Sequence, residues 1–144
     1  MTTGNSFSLD VLTYEFSRAS DKYDANWLQV RIRAQTDSSS WTASSACLLT
    51  WELVRLRHWF SALTTGVGAT ISFIENELAF RFDREGGKLV VVLDYALHPN
   101  EGSYRHGIDT ECLLELDWNE RRRQEILTSL DALISRFPER AVLA

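Results

Sequence analysis

The sequence predicts an α+β fold in which a mostly antiparallel sheet of about six or seven strands carries two amphipathic helices. Along most of the chain, apolar residues alternate with polar ones, as in half-buried strands joined by short turns. In two segments, about 50–64 and 118–137, the apolar spacing changes to three and four residues, which is typical of an α-helix. The predicted order is ββ(β)α-ββββ-α. We expect a flexible leader at 1–8 and a single globular domain over 9–140.

Two strands and a short third one are predicted before the first helix. In the first, which begins at Leu9, the residues expected to share one face are Leu12, Tyr14 and Phe16. The second strand has the clearest alternation, and its predicted core residues are Leu28, Val30, Ile32 and Ala34. Residues 41–46 are long enough for a short third strand.

The first helix is predicted from apolar residues that recur at steps of four, three, four and three: Leu49, Leu53, Leu56, Phe60 and Leu63. Thr50 is the expected N-cap, and Leu49 and Val54 are spaced for a hydrophobic staple. Gly66 is the expected C-terminal stop, since glycine tolerates positive φ.

Four further strands are predicted near 70–75, 78–83, 89–95 and 110–116, with a turn at Gly86-Gly87 and a loop over 98–109. The strand at 89–95 is apolar on both faces and is therefore expected to be central. Asp117 predicts the start of the second helix and Pro138 its end. Its apolar stripe consists of Ile126, Leu127, Leu130, Leu133, Ile134 and Phe137.

Composition and charge exclude several classes of function. The 144-residue chain is 44% hydrophobic and 24% charged, as in ordinary globular proteins. Twenty acidic against fifteen basic residues give a net charge of −5, which disfavours direct binding to nucleic acid or to anionic membranes. No secretory signal is apparent in residues 1–20, and the densest apolar run, 89–93, is far shorter than the about 20 residues of a membrane span. We expect a cytoplasmic protein.

The residues that could carry chemistry do not form a catalytic or metal-binding motif. His98, His106 and Cys112 have no zinc-site spacing, so we predict no metal and no cofactor. Cys47 and Cys112 lie in apolar stretches, which favours buried, reduced thiols over a disulfide. We therefore expect a protein that is not an enzyme.

Trp51, Arg55 and His58 fall opposite the apolar face of the first predicted helix. Tryptophan and arginine are enriched at interface hot spots, so this stripe is the candidate anchor for a protein partner. The alternative is that the N-terminal segment or a neighbouring subunit covers the stripe. The acidic residues of the following hairpin are candidate steering charges for a basic partner: Glu75, Glu77, Asp83 and Glu85.

Several runs, taken in order, resemble the WapI-like immunity proteins. Residues 21–30, DKYDANWLQV, resemble that family's opening D-Y-x-D-A-N-W-L-x-V, and Trp41 follows. Residues 47–53, CLLTWEL, are similar to its C-L-L-T-x-E-L helix entry. Residues 71–80, ISFIENELAF, resemble its L-x-F-x-E-P-x-L-S-F hairpin, with Asn76 where proline is common. The ending LISRFP at 133–138 also fits, so the resemblance spans about 9–140.

The resemblance implies a small bacterial antitoxin-like protein that binds a toxin and performs no chemistry. The family's namesake protects its producer from the C-terminal domain of a contact-dependent toxin, a tRNA-cleaving nuclease. The implied partner is thus a basic toxin domain, such as a nuclease. The alternatives are a different interaction or homo-oligomeric assembly role, with no toxin partner, and, more distantly, a hydrolase or small-ligand protein.

Overall fold

A computed structural model describes residues 4–63, 69–83, 87–99 and 111–142. These residues form seven strands and two α-helices, which confirms the α+β class and the order βββα-ββββ-α. The first half contains β1 (Ser6–Tyr14), β2 (Trp27–Gln35), β3 (Ser40–Leu49) and α1 (Thr50–Ala62). The second half contains β4 (Ala69–Ser72), β5 (Leu78–Asp83), β6 (Lys88–Leu93), β7 (Cys112–Asp117) and α2 (Glu120–Arg136).

The strands belong to two antiparallel sheets, a division that the sequence pattern did not predict. The first sheet has the order β1-β2-β3 and the second the order β4-β5-β6-β7, so each strand pairs with its neighbour in the chain. α1 lies between β3 and β4 in the chain and separates the two sets of hairpins. β6 lies between β5 and β7, which confirms that the strand with two apolar faces is internal.

The prediction that Leu12, Tyr14 and Phe16 share one face of β1 is wrong, because the strand contains an irregularity. Its pairing with β2 begins at Ser6, three residues before Leu9, and the register shifts between Val11 and Thr13. A β-bulge reverses the alternation beyond it. Val11, which precedes the shift, is buried and Leu12 is 43% exposed, whereas Tyr14, which follows the shift, packs against the core.

The apolar face of α1 is confirmed, but its N-terminus differs from the prediction. Leu53, Leu56 and Phe60 are buried. Leu49, not Thr50, is the N-cap, and the buried carboxylate of Glu52 accepts a hydrogen bond from the Leu49 amide at 3.0 Å. Val54 is exposed rather than stapled to Leu49. Gly66, the expected stop, lies outside the described residues.

α2 packs against α1 and begins at a different cap from the one predicted. Asn119, rather than Asp117, is the N-cap, and its side chain accepts a hydrogen bond from the Arg122 amide at 2.8 Å. Asp117 instead ends β7. An ion pair of 2.9 Å joins Arg57 on α1 to Asp131 on α2. Arg123 donates hydrogen bonds to the carbonyls of Phe60 and Ser61, in the last turn of α1.

β6 ends at Leu93, two residues earlier than predicted, and a short 3₁₀ turn follows at Tyr95–Leu97. The Asp94 carboxylate accepts a hydrogen bond from the Tyr95 amide at 2.9 Å. This acidic residue after an apolar strand thus caps a turn. Most of the predicted loop at 98–109 lies outside the described residues.

The two cysteines are free thiols in different environments. Cys47 is buried and Cys112 is half-buried. Burial, and then the nearby carboxylates of Glu77 and Glu52, raise the pKa of the Cys47 thiol, and burial raises the pKa of the Cys112 thiol. The neutral thiol is thus the form that the fold stabilises at Cys47.

We predict that iodoacetamide leaves Cys47 unmodified in the native protein at neutral pH and modifies Cys112 slowly. Folding raises the pKa of the Cys47 thiol, so the protonated thiol contributes to the stability of the folded state. This contribution is complete below the unfolded thiol pKa of about 8.5 and is lost as the pH rises above that value. Peptide mass spectrometry over a labelling time course measures both sites, with urea-unfolded protein as the control. Equal labelling rates in the native state would contradict the prediction.

Candidate partner-binding surface

The outward side of α1 carries the three residues that the sequence proposed as a partner anchor. Trp51 is half-buried, whereas Arg55 and His58 are exposed. Successive spacings of four and three residues place them on one side of the helix, opposite Leu53 and Leu56. The three side chains therefore occupy one surface, and Trp51 is not enclosed in the core.

Trp51 contacts a residue that the sequence analysis did not propose. The Tyr23 ring meets the Trp51 ring edge-on, with centroids 5.4 Å apart. The Lys22 Nζ lies 5.1 Å from the centroid of the Trp51 ring. Tyr23 is 48% exposed, so the pair presents aromatic surface to solvent.

Arg55 connects α1 to the second sheet. Its guanidinium donates a hydrogen bond to the Ser72 carbonyl, at the end of β4. It also lies 5.4 Å from the centroid of the Phe73 ring and 3.9 Å from a Glu52 carboxylate oxygen. Although the Arg55 side chain is fixed by these contacts, 54% of it remains exposed.

Ile74 lies beside this arginine and is held there by Glu52. The Glu52 side chain is 2% exposed, and its second oxygen accepts a hydrogen bond from the Ile74 amide at 3.1 Å. The Ile74 residue is 58% exposed. One buried carboxylate thus fixes both the start of α1 and an exposed apolar residue next to it.

These side chains form one surface, which we call the α1 patch. It consists of Tyr23, Trp51, Val54, Arg55, His58 and Ile74. Sequence reasoning missed Tyr23, Val54 and Ile74. Tyr23 belongs to the run DKYDANW and Ile74 to the run ISFIENELAF. The resemblance of these runs to family motifs is the signal that could have identified both residues.

The three proposed steering charges that the structure describes do not form one cluster. Glu75 is exposed and follows Ile74, and Glu77 is half-buried. Both contribute to raising the pKa of the Cys47 thiol, which places them near that buried residue. Asp83 is at the other end of β5, roughly 17 Å along the strand from Leu78 at about 3.3 Å per residue. Glu85 lies outside the described residues.

The described residues offer little to a metal ion or to nucleophilic chemistry. They contain no group of three or more histidine, cysteine or acidic side chains that could hold a metal ion. His98 is buried and Cys112 is in β7, whereas His106 lies outside the described ranges. In the same part of the chain, neither helix is long and apolar enough to cross a membrane.

Comparison with protein families supplies the context for this surface. The model of the Immunity protein WapI-like family matches residues 1–138, nearly the whole chain. The chain belongs to the WapI-like immunity protein family. Neither the curated proteins nor the solved structures contain a match to it.

Membership in the WapI-like family implies a toxin-neutralising role that depends on binding a cognate toxin. Immunity protein families are in general not catalytic. A role that depends on binding a toxin requires a protein-binding surface. The α1 patch contains tyrosine, tryptophan and arginine, which are enriched at interface hot spots.

Proposed function

We propose that this protein neutralises a toxin domain by stoichiometric occlusion and that the α1 patch is the anchor. The observation that carries the proposal is the contact between the exposed Tyr23 and the half-buried Trp51, next to the fixed guanidinium of Arg55. Tyrosine, tryptophan and arginine are the residue types most enriched among interface hot spots. No side chain needs to perform chemistry in this mechanism.

The contacts within the α1 patch support binding because they reduce its entropic cost. Ordering a side chain at an interface costs about 0.5–1.5 kcal/mol. Tyr23 and Lys22 already contact the Trp51 ring, and Arg55 is already bonded to Ser72. A partner therefore meets aromatic and cationic groups that are largely ordered before the complex forms.

The charge of the protein supports a basic partner. The net charge is −5, and the exposed Glu75 lies beside Ile74 at the edge of the α1 patch. An acidic surface accelerates association with a basic one, and salt screens the effect. Nucleases that bind RNA often have a basic working surface, so a nuclease toxin is the class of partner we propose.

The anchor is tested with a toxin domain that this protein is found to neutralise. We expect Trp51→Ala to raise the dissociation rate about tenfold, equivalent to about 1.4 kcal/mol. Leu113→Ala is the control, because Leu113 is also an exposed apolar residue but lies in β7. Surface plasmon resonance gives both rate constants. A Trp51→Ala complex that dissociates no faster than wild type would place the anchor elsewhere.

The steering charge is tested through the association rate. Glu75→Gln should slow association at low salt and leave dissociation nearly unchanged, because charges at an interface rim act mainly on encounter. The matched control is Glu115→Gln, which removes an equal charge from an exposed position of β7. If both variants slow association equally, net charge alone is responsible and Glu75 has no special position.

Stoichiometry separates occlusion from catalysis. Titrating the protein into a fixed amount of active toxin should abolish toxicity near equimolar amounts. Protection at strongly sub-stoichiometric amounts would contradict occlusion and indicate an enzyme. The same titration with Trp51→Ala should require more protein for equal protection.

A further inference from the structure

A groove lies between the first half of β1 and α2. It is on the opposite side of α1 from the α1 patch. Its volume is about 360 Å³. The buried side chains of Leu56, Phe60 and Phe80 line its base, and Phe7 and Ile126 line its sides. The lining is therefore apolar over most of its area.

One cation at this groove has no counterion among the described residues. The side chain of Arg121 pairs with Glu125 at 3.2 Å, and that of Arg123 pairs with Glu120 at 2.8 Å. Arg122 lines the groove and is half-buried, yet its guanidinium has no hydrogen-bond or ion-pair partner in that part of the chain. Since Glu125 at the same rim is already paired, Arg122 is available for an anion.

We propose that this groove binds a small amphiphilic carboxylate, with its alkyl chain between Phe7 and Ile126 and its carboxylate on Arg122. Ligand pockets of about 300–1,000 Å³ are lined mainly by apolar side chains with a few polar groups that fix orientation. This groove is near the lower end of that range, which favours a chain of medium length. A guanidinium can hold a carboxylate through two parallel hydrogen bonds. The site is distinct from the toxin-binding surface proposed above.

Decanoate, kept below its micelle-forming concentration, is the probe, and decanol is the matched neutral probe. Arg122→Gln should weaken decanoate binding about tenfold or more and leave decanol binding unchanged. Ile126→Ser should weaken both. Arg136→Gln is the control, because it removes the same charge from the last turn of α2.

Tryptophan fluorescence and calorimetry measure the binding. Trp118 stacks on Phe60, with ring centroids 5.8 Å apart, so a ligand on Phe60 should change its emission. Equal decanoate affinity of Arg122→Gln and wild type would overturn the proposal, as would the absence of saturable binding. If Arg122→Gln instead weakens toxin binding and decanoate does not bind, the groove serves a protein partner. If decanoate binds as expected but the protein does not neutralise a toxin, only the proposed function is contradicted and the groove proposal stands.

Discussion

Replacing Leu56 or Leu130 with alanine is expected to lower the free energy of unfolding by about 2–5 kcal/mol in each variant. Leu56 is 1% exposed and Leu130 is 5% exposed. Alanine removes apolar contacts between α1 and α2 and leaves space that the surrounding groups fill only in part. Urea denaturation followed by circular dichroism measures both losses.

Leu113→Ala provides the matched control for these substitutions. Leu113 is 51% exposed on β7, so the same chemical change should cost less than about 1 kcal/mol. Losses well below 1 kcal/mol at both Leu56 and Leu130 would mean that the helices do not bury these residues. A loss at Leu113 as large as that at Leu56 would mean that burial does not determine the effect.

The parts of the fold that the sequence predicted are those in which burial follows a regular period. In β2, Leu28, Val30 and Ile32 alternate strictly and are all buried. The buried face of α1 follows the helical period in the same way. Both patterns are local, because a regular element determines which of its side chains share a face.

The features that could not be predicted depend on residues distant in the sequence. The bulge after Val11 is defined only by pairing with β2. From the sequence, Glu52 is an ordinary acidic residue in the first turn of α1, yet its carboxylate also accepts a hydrogen bond from the Ile74 amide. Trp51, Arg55 and His58 share one helix face and were predicted together, whereas Tyr23 and Ile74 join them only through tertiary contacts.

Asn26→Ala is expected to lower the free energy of unfolding by about 2–4 kcal/mol, because it leaves several buried groups without hydrogen-bond partners. Asn26 is fully buried. Its amide nitrogen donates to the carbonyls of Lys22 at 2.8 Å and Arg140 at 3.1 Å. Its amide oxygen accepts from the Thr50 hydroxyl at 3.0 Å and from the Arg140 amide at 2.7 Å. The side chain thus joins the β1–β2 connection, the start of α1 and the C-terminal tail.

The neighbouring Asp24 gives a control within the same turn. Asn26, and not Asp24, is the side chain that holds this turn in place. Asp24 is exposed, and the carboxylate that accepts from the Tyr23 and Asp24 amides belongs to Asp21. Asp24→Ala should therefore change the stability by less than about 0.5 kcal/mol.

Thermal unfolding of the two variants, combined with toxin titration, separates a structural role from a direct contact. Asn26→Ala should lower the melting temperature, and it should also weaken toxin binding because Tyr23 is part of the segment that Asn26 holds. Arg140→Ala should act in the same direction, since its guanidinium donates to the carbonyls of Phe16 and Ala25, both at 2.7 Å. An Asn26→Ala protein with an unchanged melting temperature and no protection from toxin would contradict this account, because a side chain enclosed by Lys22, Thr50 and Arg140 cannot reach a partner unless the C-terminal tail moves away.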